Sequence, residues 1–97
     1  MDIIFEVVDK TGRKIRLTQR QWTHITMTHA EMTNYLDEIQ RTLSNPLKIV
    51  FQEKGNLIRY YSYHKHRKHP EKYLRIIVKY LNGDGFVITT QFVRNIT

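Results

Sequence analysis

The stretch YLRIIVKYLNGDGFVITTQFV, residues 73–93, alternates apolar and polar side chains on both sides of NGDG. Alternation with period two, rich in β-branched and aromatic residues, is typical of strands, and Asn-Gly is typical of a tight hairpin turn. In the first strand one side carries Leu74, Ile76, Val78 and Tyr80, and the other carries Tyr73, Arg75, Ile77 and Lys79. In the second, alternation assigns Phe86, Ile88, Thr90 and Phe92 to the core and Val87, Thr89, Gln91 and Val93 to the opposite side. The face away from the core should therefore collect Arg75, Lys79, Thr89 and Gln91, and an ordinary solvated face is the alternative interpretation.

Two further β-rich runs precede this hairpin, LKIVFQ at residues 47–52 and LIRYYSYH at 57–64. The turn signal EKGN joins them, so the second half of the chain predicts a four-stranded antiparallel meander. At the N-terminus, IIFEVV (3–8) and RKIRL (13–17) flank DKTG and predict a β-hairpin.

Two helices are predicted between the hairpin and the meander. Thr18 followed by Gln21 matches a capping box, and Thr28 followed by Glu31 repeats it. The second helix then continues at helical spacing until SNP ends it at residues 44–46. We therefore expect one α+β domain, residues 1–97, with an N-terminal β-hairpin and two helices packed on a four-stranded antiparallel sheet.

Composition restricts the functions that this chain could have. The 97 residues include 16 Lys and Arg against 9 Asp and Glu, a formal net charge of +7, which favours a polyanionic partner such as nucleic acid. The chain has no cysteine, so thiolate metal sites and a cysteine nucleophile are excluded. No signal peptide or membrane span is recognisable, and we expect a cytoplasmic protein without membrane contact.

Five histidines raise the question of a metal. His64, His66 and His69 could supply three imidazoles, but the surrounding Lys and Arg side chains would repel a dication, and we expect no metal and no cofactor. His24 and His29 are about 140° apart on a continuous helix and converge only if the chain breaks near Thr28. One alternative is that one of them is partly buried and the other merely helps to begin a helix.

The parts for cleaving RNA without a metal are present. A general base and a general acid can come from His24 and His29, because an imidazole titrates near neutral pH. Positive charge for the phosphorane can come from Lys65, Lys79 and Arg75, and a neutral donor from Thr89 or a Tyr hydroxyl. The basic turn after Lys65, with Arg67 and Lys68, would clamp the substrate backbone.

The order of motifs resembles a known family. QWTHITMTHAEM, YLDEIQRTLSNPLKIV, RYYSYHK and YLRIIVKYLNGDGFVITTQF are similar to the phage-associated branch of the barnase, EndoU, colicin and RelE-like (BECR-fold) nuclease superfamily. The resemblance implies a toxin-like or phage-effector endoribonuclease that acts without metal, through attack of the 2′-hydroxyl to give a 2′,3′-cyclic phosphate. It implies catalytic roles for His24, His29, Lys79, Thr89 and Tyr61, and substrate contacts from Tyr60 and Lys65.

Two other functions stay open. Tyrosines at 60, 61, 63 and 73 could stack on bases while Lys and Arg contact phosphates, which describes a non-catalytic RNA-binding module. A basic protein-interaction domain would instead dock an acidic partner. Under the nuclease hypothesis the expected partners are RNA, with tRNA among the candidates, and an antitoxin or immunity protein.

Overall fold

A computed structural model describes residues 2–96, and the first and last residues of the predicted 1–97 domain lie outside this range. Within it the chain forms, in order, β1 (Ile3–Val8), β2 (Lys14–Thr18), α1 (Gln19–Thr28), α2 (Leu36–Ser44), β3 (Lys48–Gln52), β4 (Leu57–Tyr63), β5 (Tyr73–Leu81) and β6 (Asp84–Val93). A 3₁₀ helix, Ala30–Asn34, lies between α1 and α2. The α+β class predicted from the sequence is confirmed.

The sheet is larger than predicted. Its strand order is β1-β2-β6-β5-β4-β3, and every neighbouring pair is antiparallel except β2 and β6, which run parallel. The prediction of a four-stranded antiparallel sheet is therefore wrong, because the N-terminal hairpin extends the meander into one six-stranded mixed sheet. By pairing with β2, the outer edge of β6 gains hydrogen-bond partners for backbone N–H and C=O groups that would otherwise be unpaired at the sheet edge.

The two predicted capping boxes had different outcomes. Thr18 is the N-cap of α1 and its hydroxyl accepts a hydrogen bond from the Gln21 N–H at 3.2 Å, as predicted. Thr28 instead donates back to the His24 and Ile25 carbonyls at 3.1 and 3.2 Å, so it ends α1 rather than starting the next helix. The predicted second helix is consequently split into the 3₁₀ helix and α2.

Helices cover one face of the sheet. Ile25 on α1, Met32 on the 3₁₀ helix, and Ile39 and Leu43 on α2 are fully buried in a single core cluster with the sheet. From β5 that cluster receives Leu74, Ile76 and Val78, with Tyr80 packed against it, as the alternation predicted. We call the other side of the sheet the open face; it includes Lys48, Arg59, Tyr61, Tyr63, Tyr73, Arg75, Ile77, Lys79, Phe86, Thr89 and Gln91.

A β-bulge changes the facing of β6. Ile77 pairs with Thr89 but Val78 pairs with Val87, so Ile88 is an extra residue. Beyond the bulge Thr90 and Phe92 face the core and Thr89 and Gln91 face outward, as predicted. Before it the assignment is reversed: Val87 is buried at 3% exposure and Phe86 lies on the open face, because the extra residue shifts a period of two by one.

The backbone at Gly85 leaves no room for a side chain. A Cβ at this position would lie 2.8 Å from Cε1 of Tyr80 and 3.0 Å from Cγ1 of Val78. The missing side chain lets the Tyr80 ring lie over β6.

Within residues 2–96, none of the helices has the length and apolar character that a membrane span requires.

Candidate nucleic-acid interface

Side chains of the open face form rows across the strands. Tyr61 on β4 lies opposite Lys48 on β3 and Arg75 on β5, and Arg75 lies opposite Gln91 on β6. Directly opposite residues of neighbouring strands have Cβ atoms about 5 Å apart, so each row is a set of side-chain neighbours.

A second row runs beside the first. Arg59 on β4 lies opposite Ile77 on β5, and Ile77 lies opposite Thr89 on β6. Lys79 belongs to the row after that, opposite Leu57. The cationic residues therefore fall in three consecutive rows.

The centre of the open face is positively charged. Its cations are Lys48, Arg59, Arg75 and Lys79, and none of them belongs to an ion pair found within residues 2–96. Two acids of this face, Glu6 on β1 and Asp84 at the start of β6, both pair with Arg16, at 3.1 and 3.4 Å. The centre thus carries four charges that are not ion-paired within the described residues.

Two of these guanidinium groups are incompletely satisfied. Arg59 Nε and Arg75 Nε are buried and have no hydrogen-bond partner in the described part of the chain. Buried polar groups are almost always paired, and leaving one unpaired costs about 1–3 kcal/mol. The Nε atoms themselves are out of reach of a ligand, but both residues are only half-buried, and guanidinium groups pair best with carboxylate or phosphate oxygens.

An aromatic pair lies at one end of the face. The Tyr63 and Tyr73 rings are 5.1 Å apart between centroids, with 45° between their planes. Tyr63 is 52% exposed. Such a pair offers an aromatic surface beside the cations.

The predicted catalytic residues are divided between the two faces. His24 is exposed on α1, and His29 is half-buried at the end of that helix, on the helix-covered side. Lys79 and Thr89 lie on the open face together with Tyr61 and Arg75. The sheet therefore separates the two histidines from these four residues, because α1 packs through Ile25 on the core side.

Tyr60 is placed inside the protein. It is fully buried on the helix-covered side, where its hydroxyl donates a hydrogen bond to Asp9 Oδ2 and lies 2.6 Å from the Tyr80 hydroxyl. Thr11 and Arg13 backbone N–H groups donate to Asp9 Oδ1 at 2.9 and 2.8 Å. The predicted substrate contact of Tyr60 is not available from this position, because successive residues of a strand point to opposite faces.

Electrostatics of this buried network favour an ionised Asp9. Burial alone would raise the pKa of Asp9, but the hydrogen bonds from Tyr60, Arg13 and Thr11 outweigh it and hold the pKa below its usual value. Burial and the neighbouring carboxylate raise the pKa of Tyr60, and burial raises the pKa of Tyr80 to about 12. Both tyrosines are therefore neutral hydrogen-bond donors at neutral pH.

The basic turn is only partly available to a ligand. The Arg67 side chain is 9% exposed, lies 3.7 Å above the Phe92 ring, and bonds both carboxylate oxygens of Glu31 at 2.9 and 3.0 Å. Its charge thus joins the turn to the 3₁₀ helix. Lys65 and Lys68, predicted to contact substrate, are exposed.

A chain of hydroxyl groups orients His64. Thr42 Oγ1 donates to the Glu38 carbonyl at 2.7 Å, so it must accept the proton of Ser62, 2.8 Å away. Ser62 then accepts from His64 Nε2 at 2.9 Å, and the neutral imidazole keeps its lone pair on Nδ1. Ser62 is therefore not arranged as a nucleophile activated by His64.

His64 also borders a cleft of about 570 Å³ lined by Tyr35, Tyr63, His64, Lys65, His66 and Arg67. Burial lowers the pKa of His64; the nearby Arg67 and Arg41 lower it further, and Glu38 opposes them. The sequence pattern raised His64 only as a candidate metal ligand, and residues 2–96 contain no group of three or more side chains able to hold a metal ion.

Sequence reasoning also missed Arg59. The alternation of LIRYYSY would have found it, since Arg59 falls between the buried Ile58 and Tyr60.

Comparison of the chain with protein-family models, curated proteins and solved structures finds no match. The resemblance to the BECR-fold nucleases therefore stays a prediction from the motifs. The open face, with its four cations and its tyrosine pair, is the feature of the molecule that bears most directly on function.

Proposed function

We propose that this protein binds RNA on the open face of its sheet. The observation that carries the proposal is a group of four cations on the face that no helix of residues 2–96 covers: Lys48, Arg59, Arg75 and Lys79, none of which is ion-paired within those residues. Phosphate contacts supply most of the affinity in nucleic-acid binding, and Arg and Lys make them.

The other groups of this face suit RNA. Thr89 and Gln91 offer a hydroxyl and an amide beside the arginines, and both types of group can bond 2′-hydroxyls or base edges. A cytoplasmic location, where tRNA and other RNAs are accessible, is part of the proposal. So is an antitoxin or immunity protein, which would cover the same cations with acidic side chains.

The test is the salt dependence of binding. For a single strand the slope of log K against log salt is about −0.7 per phosphate contact, so four contacts predict about −2.8. Arg59→Gln and Lys79→Gln should each flatten the slope by about 0.7. Lys54→Gln, in the exposed turn between β3 and β4, is the matched control. A slope that none of the open-face substitutions changes would reject this face as the RNA site.

A second candidate function is cleavage of the bound RNA. The observation favouring it is that Lys79, Thr89 and Arg75, three of the residues predicted for the nuclease site, share the open face. Tyr61 has the same facing but is fully buried. In the proposed step the 2′-oxygen bonds to phosphorus while water accepts its proton. The bond to the 5′-oxygen breaks, and the Lys79 ammonium protonates the leaving oxygen. Arg75 and Thr89 would stabilise the phosphorane, and the product would be a 2′,3′-cyclic phosphate.

This candidate is tested by the ends of the RNA formed in excess chelator. Lys79→Ala should abolish cleavage, whereas His24→Ala and His29→Ala should leave it unchanged because the sheet separates them from Lys79. DNA, which lacks the 2′-hydroxyl, should stay intact. Cleavage that disappears with chelator, or that survives Lys79→Ala, would reject the mechanism.

A further inference from the structure

The cations of the open face follow the direction of the strands. Arg75 and Lys79 are four residues apart on β5, and Arg59 lies in the row between them on β4. Consecutive rows on one face are about 6.6 Å apart, because each residue of a strand rises about 3.3 Å. This spacing is close to that between successive phosphates of an extended single strand. The three cations can therefore meet three consecutive phosphates.

The tyrosine pair lies on the same line. Tyr63 and Tyr73 are opposite each other in the row that precedes Arg75, and the exposed Tyr63 ring is free to receive a planar group. Stacking on an aromatic side chain tolerates any base, because every base has a π-face. The order along the face is thus an aromatic platform followed by three cations.

A duplex cannot use the platform. In an A-form helix each base is stacked between its neighbours, and the deep, narrow major groove keeps side chains away from the bases. An acidic protein surface would satisfy the cations but has no use for the platform. Only a single strand offers bases for stacking and phosphates at the row spacing together.

We infer that the open face takes single-stranded RNA along β4 and β5, with one base on Tyr63 and Tyr73 and successive phosphates at Arg75, Arg59 and Lys79. This inference rests on the proposed RNA-binding function and adds the substrate class and its direction on the sheet. It predicts that aromatic and cationic substitutions have separable effects.

The experiment measures fluorescence anisotropy of a labelled 12-nucleotide RNA without self-complementarity, alone and annealed to its complement, over a range of salt. The single strand should bind at least about 10-fold more tightly than the duplex. Tyr63→Leu and Tyr73→Leu should each weaken single-strand binding about 5- to 150-fold, the range for one stacked base, without changing the salt slope. Tyr63→Phe and Tyr73→Phe keep the rings and should keep the affinity.

Phe51→Leu is the matched control, since Phe51 is 57% exposed but pairs with Ile58 on the helix-covered side. Far-UV circular dichroism and thermal melting establish that each variant is folded, and the salt slopes of Arg59→Gln and Lys79→Gln give an independent readout. Equal affinity for single strand and duplex, or no loss in the leucine variants, would overturn the inference while leaving RNA binding intact. Binding of neither RNA would overturn the proposed function, and the inference with it.

Discussion

The buried hydroxyl of Tyr60 gives a prediction that separates structure from substrate binding. Tyr60→Phe removes the hydroxyl that donates to the ionised Asp9 and accepts from Tyr80, and it leaves the ring, so it creates no cavity. A hydrogen bond to a charged group contributes about 1.5–3 kcal/mol. Asp9 keeps its bonds from Thr11 and Arg13 and a 3.4 Å contact with Tyr80, so we expect a loss of about 2 kcal/mol.

The assay is urea unfolding at pH 7, followed by Trp22 fluorescence and circular dichroism. A loss of about 2 kcal/mol corresponds to a fall in Tm of about 8–16 °C for a chain of this size. Tyr63→Phe removes an exposed hydroxyl and should change the free energy of unfolding by less than about 0.5 kcal/mol. RNA affinity of folded Tyr60→Phe should equal that of the wild type. Unchanged stability with weakened RNA binding would refute the reasoning and return Tyr60 to the substrate site.

Three further substitutions test other parts of the structure. Because burial lowers the pKa of His64, its contribution to stability is full above about pH 6.5 and is lost as pH falls through the lower folded-state pKa. His64→Gln should flatten this part of the pH profile of urea unfolding, and an unchanged profile would contradict the burial of the imidazole. Gly85→Ala should lower the free energy of unfolding by about 1–3 kcal/mol, because the added methyl group overpacks against Tyr80. An unchanged Tm would show that the ring moves aside. Arg67→Gln should lower the free energy of unfolding by about 1–3 kcal/mol because it breaks the bonds to Glu31. Lys68→Gln, at an exposed position, should lower it by less than about 0.5 kcal/mol, and equal effects would contradict the structural role of Arg67.

Local signals were sufficient for much of the fold. The alternation in β5, the turn between β5 and β6 and the Thr18 cap depend on residues close in sequence, and the structure agrees with all three. The parallel pairing of β2 with β6 joins residues about 70 positions apart, such as Lys14 and Asp84, and no local pattern encodes it. The bulge at Ile88 is equally hidden, because an apolar residue fits either register.

The candidate site was predictable only in part. Strand periodicity identified the outward residues of β5 correctly, and three of the four it assigned on β6, Thr89, Gln91 and Val93. It could not show that α1 lies across the sheet from them, since that depends on which face the helices cover. His24 and His29 were grouped with Lys79 by their chemistry and by the resemblance of the motifs, and three-dimensional placement is what divides them.

The central position of β6 also governs when the protein can fold. β6 is the last strand to leave the ribosome, yet it lies between β2 and β5, and the β1–β2 hairpin joins the sheet only through it. Before residues 84–93 emerge, the hairpin has no neighbouring strand and Thr89 and Gln91 are missing from the open face. Because non-local strand pairing must wait for both partners, the sheet is completed only after residues 84–93 have emerged. A nascent chain thus cannot present its finished cationic surface to the ribosomal RNA around it until β6 has left the ribosome.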